Sequence, residues 1–283
     1  MAIDLRKIDG PSWRREGART AILQKAGFEP PAAHVAIAER LAAFKALGTP
    51  VTNRLIDAVV TGEGDIETLR SGALAEWDGD LHRLTEIVGN GVAAAQGRIV
   101  REVAGETYTA VQKRFNEAAT AFAKVSAVID PEAPAEDVIA LGNLKAQAAW
   151  QDAASLADEL SGLLVPLLAA ATNAGLVHPA GADTAASGSQ HWQTNSMVLG
   201  LIADVTGVEN IRHAWDAIDA EGRTGPWGQL IRVGGKIAAK DLDAYAPLRR
   251  PAPLIEKKVD RGDGTYGYVV LDPEAPDYAE AAQ

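Results

Sequence analysis

The residues able to do chemistry are few, and their spacing excludes more than it offers. There is no cysteine, and the five histidines stand at 34, 82, 178, 191 and 213. Thiolate zinc sites and thiol nucleophiles are therefore ruled out. No two histidines lie four apart, so a zinc site needs three of them to converge from distant segments. No Gly-x-Ser-x-Gly elbow is present, and Ser187-Gly-Ser189 falls in a stretch read as linker, a poor seat for a nucleophile. The adjacent carboxylates Asp158 and Glu159 point to different sides of a helix and read as solvated.

Two local patterns invite a ligand and then fail its requirements. Gly225-Pro-Trp-Gly-Gln-Leu-Ile-Arg-Val-Gly-Gly-Lys236 has the glycines and lysine of a phosphate loop. However, Ile237 stands where the magnesium-binding hydroxyl belongs, so the segment reads as a helix with a weak, Gly-rich middle. Asp260, Asp263 and Asp272 are carboxylates near a turn, but Asp260-Arg-Gly-Asp-Gly-Thr265 lacks the alternation of a calcium loop. The expectation is a protein with no catalytic residue, no cofactor and no metal.

Composition points the same way. The chain holds 283 residues with 54 alanines, 27 glycines and 14 prolines, and its net charge is −11. Affinity for phosphate backbones comes from Lys and Arg, so nucleic acid is an unlikely partner. No uninterrupted apolar run approaches the length of a membrane span, which predicts no membrane partner. Met1-Ala-Ile-Asp-Leu-Arg-Lys7 carries no apolar signal region, so the expected location is the cytoplasm of the producing cell, or a virion.

The elements that position these residues are mostly helical. Residues 1–30 read as an N-terminal arm, with a short helix over about 12–26 capped by Ser12 and ended by Gly27. Two helices follow, Pro31–Leu47 and the one opened by Thr49-Pro50 and stopped by Gly62. Leu74, Trp77, Leu81, Leu84 and Val88 then alternate in steps of three and four, as do Tyr108, Val111, Phe115, Ala118, Phe122, Val125 and Ile129. Gly89, Gly91 and Gly97 lie between the two seams, where the helix is expected to bend or break. Asp130-Pro-Glu-Ala-Pro134 turns the chain into a second long helix, about 135–173, with a seam of Leu156, Leu160, Leu163 and Leu167. Pro166 should kink it.

The fold class predicted is mainly α: a long antiparallel helical hairpin or coiled-coil-like bundle, short flanking helices and a C-terminal β-hairpin tail. The boundaries read 31–175 for the bundle, 176–195 for a flexible linker, 196–250 for a small helical region and 251–283 for the tail. In the tail, Leu254–Val259 faces Tyr266–Leu271 across Arg261-Gly-Asp-Gly264. A lone hairpin is marginal in water, so it must pack on the body or pair with something else. The candidate interaction residues are Lys257, Lys258, Val259, Arg261, Tyr266, Tyr268 and Val270. Trp192, a large apolar side chain in a polar stretch, joins them.

The Ala-rich acidic style, the absence of cysteine, the heptad region and a Pro-flanked hairpin ending in Asp272-Pro-Glu-Ala-Pro-Asp-Tyr278 resemble structural proteins of tailed phages of actinobacterial hosts. The resemblance is one of style and transfers no functional residue. It implies a virion or head-assembly component: a minor capsid, scaffolding or connector-associated protein, self-associating or binding other virion proteins. Scaffolding proteins often end in a basic helix, whereas this chain ends in a hairpin and an acidic tail. The alternatives are a bacterial cytoplasmic coiled-coil adaptor and a helical enzyme using the Gly225–Lys236 region.

Overall fold

Tyr108, Val111, Phe115, Ala118 and Phe122, spaced three and four apart, are all buried along one helix. Leu160, Leu163 and Leu167 are buried on a second. These two helices pack antiparallel and organise the larger part of a mainly helical protein. The computed structural model describes residues 15–46, 50–78, 81–176, 191–260 and 266–281. In chain order the helices are α1 (Glu16–Lys25), α2 (Ala32–Ala46), α3 (Pro50–Thr61), α4 (Ile66–Asp78), α5 (Leu81–Glu102) and α6 (Ala104–Ser126). They continue with α7 (Ala135–Ala140), α8 (Leu144–Asn173), α9 (His191–Ile202), α10 (Ile211–Ile218), α11 (Pro226–Arg232) and α12 (Tyr278–Ala281). Ala203–Asp204 (β1) pairs antiparallel with Lys236–Ile237 (β2), and Ile255–Asp260 (β3) with Tyr266–Leu271 (β4).

The chain forms two compact units, Met1–Phe28 with Gly105–Gln283, and Glu29–Ala104. In the first, α1 lies on α8 and buries Leu23, and Arg19 Nε donates to Asn173 Oδ1 at 2.6 Å. The N-terminal arm thus packs on its own chain over its described residues; Ser12, the expected cap, lies outside them. The core continues into α9, α10 and α11 through Met197, Leu199, Ile202, Trp227 and Leu230, all fully buried. Trp227 meets Phe115 edge to face at 5.9 Å and donates its indole N–H to Ser161 Oγ at 2.8 Å. A buried indole needs such a partner, because an unpaired polar group in a core costs ~1–3 kcal/mol.

Several expected boundaries move. The helix expected from 135 to 173 breaks at Leu141-Gly142-Asn143, where Gly142 takes φ +62° and ends α7. Asn143 then caps α8, its Oδ1 accepting from the backbone N–H groups of Lys145 and Ala146. Only a residue without a Cβ takes that left-handed turn at low cost. Residues 191–195, read as linker, begin α9, and Thr194 and Asn195 are buried. Within the small helical region expected over 196–250, α9 gives way to β1 at Ala203. Pro166 sits buried inside an α8 that continues past it. By length and mean hydropathy, 1.4 over its best window, α8 is also apolar enough to cross a bilayer. Its apolar side chains instead enter the core, from Ala153 to Ala171.

In the second unit α3 packs on α4, and α2 on α5. Glu76 of α4 caps α3, accepting from the N–H groups of Val51 and Thr52, both at 2.8 Å, and from Thr52 Oγ1 at 2.7 Å. Desolvation opposes its charge, but these bonds outweigh it and hold its pKa below the usual carboxylate value. Of the seam expected at Leu74, Trp77, Leu81, Leu84 and Val88, Leu74 is exposed and Val88 half-buried, the side chains of the other three lie outside the described residues, and Ala58 and Ala73 are buried. The glycines at 89, 91 and 97 do not break α5; the interruption falls at Val103, between α5 and α6. Ile56, Val59, Val60 and Ile87 remain exposed.

Candidate functional site

The C-terminal hairpin gathers most of the sequence-derived interaction residues. Its register sets Ile255 opposite Leu271, Lys257 opposite Val269 and Lys258 opposite Tyr268. Directly paired residues share a face, and faces alternate along a strand. One face therefore carries Ile255, Lys257, Val259, Val269 and Leu271. The other carries Glu256, Lys258, Tyr266, Tyr268 and Val270.

Among the described residues of the hairpin only Leu271, at the base, is buried. Tyr266, Tyr268 and Val270 are 58%, 68% and 57% exposed, and Val259 and Val269 are exposed as well. Of the two alternatives for the hairpin, packing on the body's helices through Val259, Tyr266, Tyr268 and Val270 is the one these exposures do not favour. Lys258 lies over the Tyr266 ring at 3.7 Å, a cation–π contact that covers part of one aromatic, and Lys257 is half-buried. Arg261 lies outside the described residues. Trp192 belongs to the first turn of α9, remote in sequence from the hairpin, and its side chain is likewise outside the described set.

What holds the hairpin is ionic and lies just past β4. Asp272 accepts from Arg212 Nε at 3.1 Å, Arg212 Nη2 at 3.0 Å and Asn210 Nδ2 at 2.7 Å. Arg212 also donates to the Ala252 carbonyl. Two residues on, Glu274 accepts from both terminal nitrogens of Arg249, at 2.7 and 2.6 Å, and from the Ala252 N–H at 2.8 Å. Side-chain bonds from Arg212 hold Asp272 well below the ordinary carboxylate range, and those from Arg249 hold Glu274 down to about 2. The strap leading into β3 is fixed as well. Trp215 Nε1 donates to the Arg249 carbonyl at 3.0 Å, and Ser196 exchanges two bonds with Leu248. Sequence reading weighed Asp272 as a carboxylate of a calcium loop and missed Asn210, Arg212, Arg249 and Glu274. Nothing in a linear pattern connects positions 25 to 62 residues apart.

Immediately before the phosphate-loop candidate, Gly225–Lys236, the chain binds one of its own carboxylates. The backbone N–H groups of Arg223 and Thr224 point at the Glu132 carboxylate, at 2.9 and 2.6 Å, and the Thr224 hydroxyl joins them. Arg223 also stacks on Trp150 at 3.6 Å. The segment is an internal clasp on the turn between α6 and α7, and its helix α11 ends at Arg232, before the glycine pair. Among the described residues no three His, Asp or Glu side chains converge as metal ligands. An open cleft of about 350 Å³ at the α3–α4 turn is lined by Arg54, Asp57, Glu63 and Asp65, and Asp65 is engaged in capping Thr68.

No family model matches the chain, and neither the curated proteins nor the solved structures contain a match to it.

Proposed function

We propose that the protein is a non-enzymatic structural or assembly component, of the kind that builds the virion of a tailed phage, and that it acts through its C-terminal hairpin. The observation that carries this reading is the contrast within the tail. The hairpin's base is fixed by two bidentate carboxylate–arginine pairs, while the aromatic and branched side chains of its strands face solvent. A rigid mount with exposed Tyr, Val and Ile side chains is suited to recognition. Main-chain bonds at a strand edge supply affinity, and alternate side chains enter a partner's pockets. Exposed apolar positions on α3, α4 and α5 add further area of the same character.

The test compares the full chain with Tyr266→Ser/Tyr268→Ser/Val270→Ser in the cell that produces it. The native chain is expected to co-purify with identified capsid or connector proteins, and the triple variant to lose them at unchanged melting temperature. Recovery of the native chain without any virion protein, or equal capture by both forms, overturns the reading.

A further inference from the structure

The two edges of the hairpin differ in a way that selects a partner. β3 reads Ile-Glu-Lys-Lys-Val-Asp and β4 reads Tyr-Gly-Tyr-Val-Val-Leu. Exposed strand edges are ordinarily blunted by charge, above all by Lys. β3 carries four charged residues of six, whereas β4 carries none. Among the described residues no third strand joins this sheet. The unprotected edge is the one that holds Tyr266, Tyr268, Val269 and Val270, all exposed.

Resting on the assembly reading above, we infer that the occupant of the β4 edge is β4 of a second copy, forming a four-stranded sheet β3-β4-β4-β3 about a two-fold axis. A two-fold perpendicular to the sheet and centred on Tyr268 sets Tyr268 against its own copy, Tyr266 against Val270 and Gly267 against Val269. Every opposed pair is uncharged, and aromatic and β-branched cross-strand pairs are favourable. On the β3 edge the same operation meets charge in every register. Centred on Lys258, it opposes Lys258 to Lys258 and Glu256 to Asp260; centred on Lys257, it opposes Lys257 to Lys257 with Glu256 against Lys258 beside it; centred on Val259, it opposes Lys258 to Asp260. Like charges directly opposite are destabilising. The chain's net charge of −11 repels a second copy over most of its surface, so the contact forms where charge is absent. Two-fold pairing of identical edges closes on itself and gives a dimer, not a fibre.

The chain has no cysteine, so a single introduced thiol reports cleanly. Sedimentation of the full chain across a dilution series is expected to show a mass of twice 29.7 kDa that dissociates on dilution. Tyr268→Lys should reduce this to 29.7 kDa at every concentration, with an unchanged melting temperature, while Glu256→Lys on the protected edge should leave the dimer. Under mild oxidation, Tyr268→Cys should cross-link two copies and Val259→Cys should not. A wild-type monomer throughout, a dimer that survives Tyr268→Lys, or equal cross-linking from both thiols overturns the inference. If the wild type is monomeric yet the triple serine variant still loses its virion partners, the edge binds a different protein; the assembly reading then stands and the self-pairing falls.

Discussion

Asp272 and Arg212, 60 residues apart in sequence, meet fork to fork, with Nε and Nη2 each donating to a different carboxylate oxygen. Both side chains are 21% exposed, and Asn210 adds a third donor to the same carboxylate. This pair joins the end of β4 to the first turn of α10. Asp272→Asn retains the shape but loses the charge, and Arg212 is left facing an amide. Its expected cost is about 1–3 kcal/mol, felt in the tail. Hydrogen exchange should show the β3 and β4 amides opening faster while those of α8 do not change; equal loss of protection in α8 would mean that the tail and core unfold together.

Acid should loosen the tail before the core. The carboxyls of Asp272 and Glu274 have pKa values depressed in the folded protein, Glu274 to about 2 from 4.5. A depressed carboxylate stabilises fully above its unfolded value, and that contribution is lost as pH falls toward the folded value. The window is therefore about pH 4.5 down to 2 for Glu274. Carboxyl chemical shifts followed across that range should give the depressed midpoint, and Glu274→Gln should flatten the pH dependence of tail opening. A Glu274 midpoint at the ordinary value would show that Arg249 does not hold it in solution.

Phe122 is fully buried where α6 faces α8. Phe122→Ala should lower stability by ~3–5 kcal/mol, the range for an aromatic truncated in a packed core. Denaturant unfolding by circular dichroism measures this, and a midpoint unmoved by the substitution contradicts the packing.

Gly200 of α9 is needed for a close approach. A Cβ built there would collide with the Ala246 carbonyl oxygen and come within 2.9 Å of Pro247 Cα, both backbone atoms. Gly200→Ala must therefore push the 245–248 strap away from α9, at an expected cost of about 1–3 kcal/mol for overpacking. Because Ser196 and Leu248 exchange bonds across the same contact, the variant should also expose Leu248 N–H to faster exchange.

The parts of the fold legible in the sequence are those governed by periodic burial of large side chains. Tyr108 through Phe122 and Leu160 through Leu167 repeat in steps of three and four, and their packing follows from that spacing. The β-hairpin was legible because turn residues separate two β-rich runs. Leu74 misled for the opposite reason: it is exposed, while Ala58 and Ala73, which a pattern of large residues does not mark, are buried. The break before α8 did have a local signal in Gly142-Asn143, a helix stop followed by a cap. The tail's mount had none, since Asn210, Arg212, Arg249, Asp272 and Glu274 are joined only by the fold.

Glu132 provides a test of the clasp on the α6–α7 turn. Glu132→Gln leaves only one acceptor oxygen for donors that now use two, at Arg223 and Thr224. A loss of about 1–2 kcal/mol is expected, and combining it with Thr224→Val should give less than the sum, because both remove the same contact. Strict additivity in thermal melts would show that the two residues act separately.

That clasp spans 91 residues of sequence, and the buried stripe from Leu163 to Ala171 shares one core with side chains of α9, α10 and α11, which are synthesised later. A ribosome delivers α6 and α8 first, so this leucine-rich stripe emerges before its lid exists. At ~5–20 residues per second the delay lasts on the order of seconds. During that interval α8, a helix long and apolar enough to pass for a membrane span, holds its leucine face without the later part of its core, and that face is where a chaperone is expected to bind.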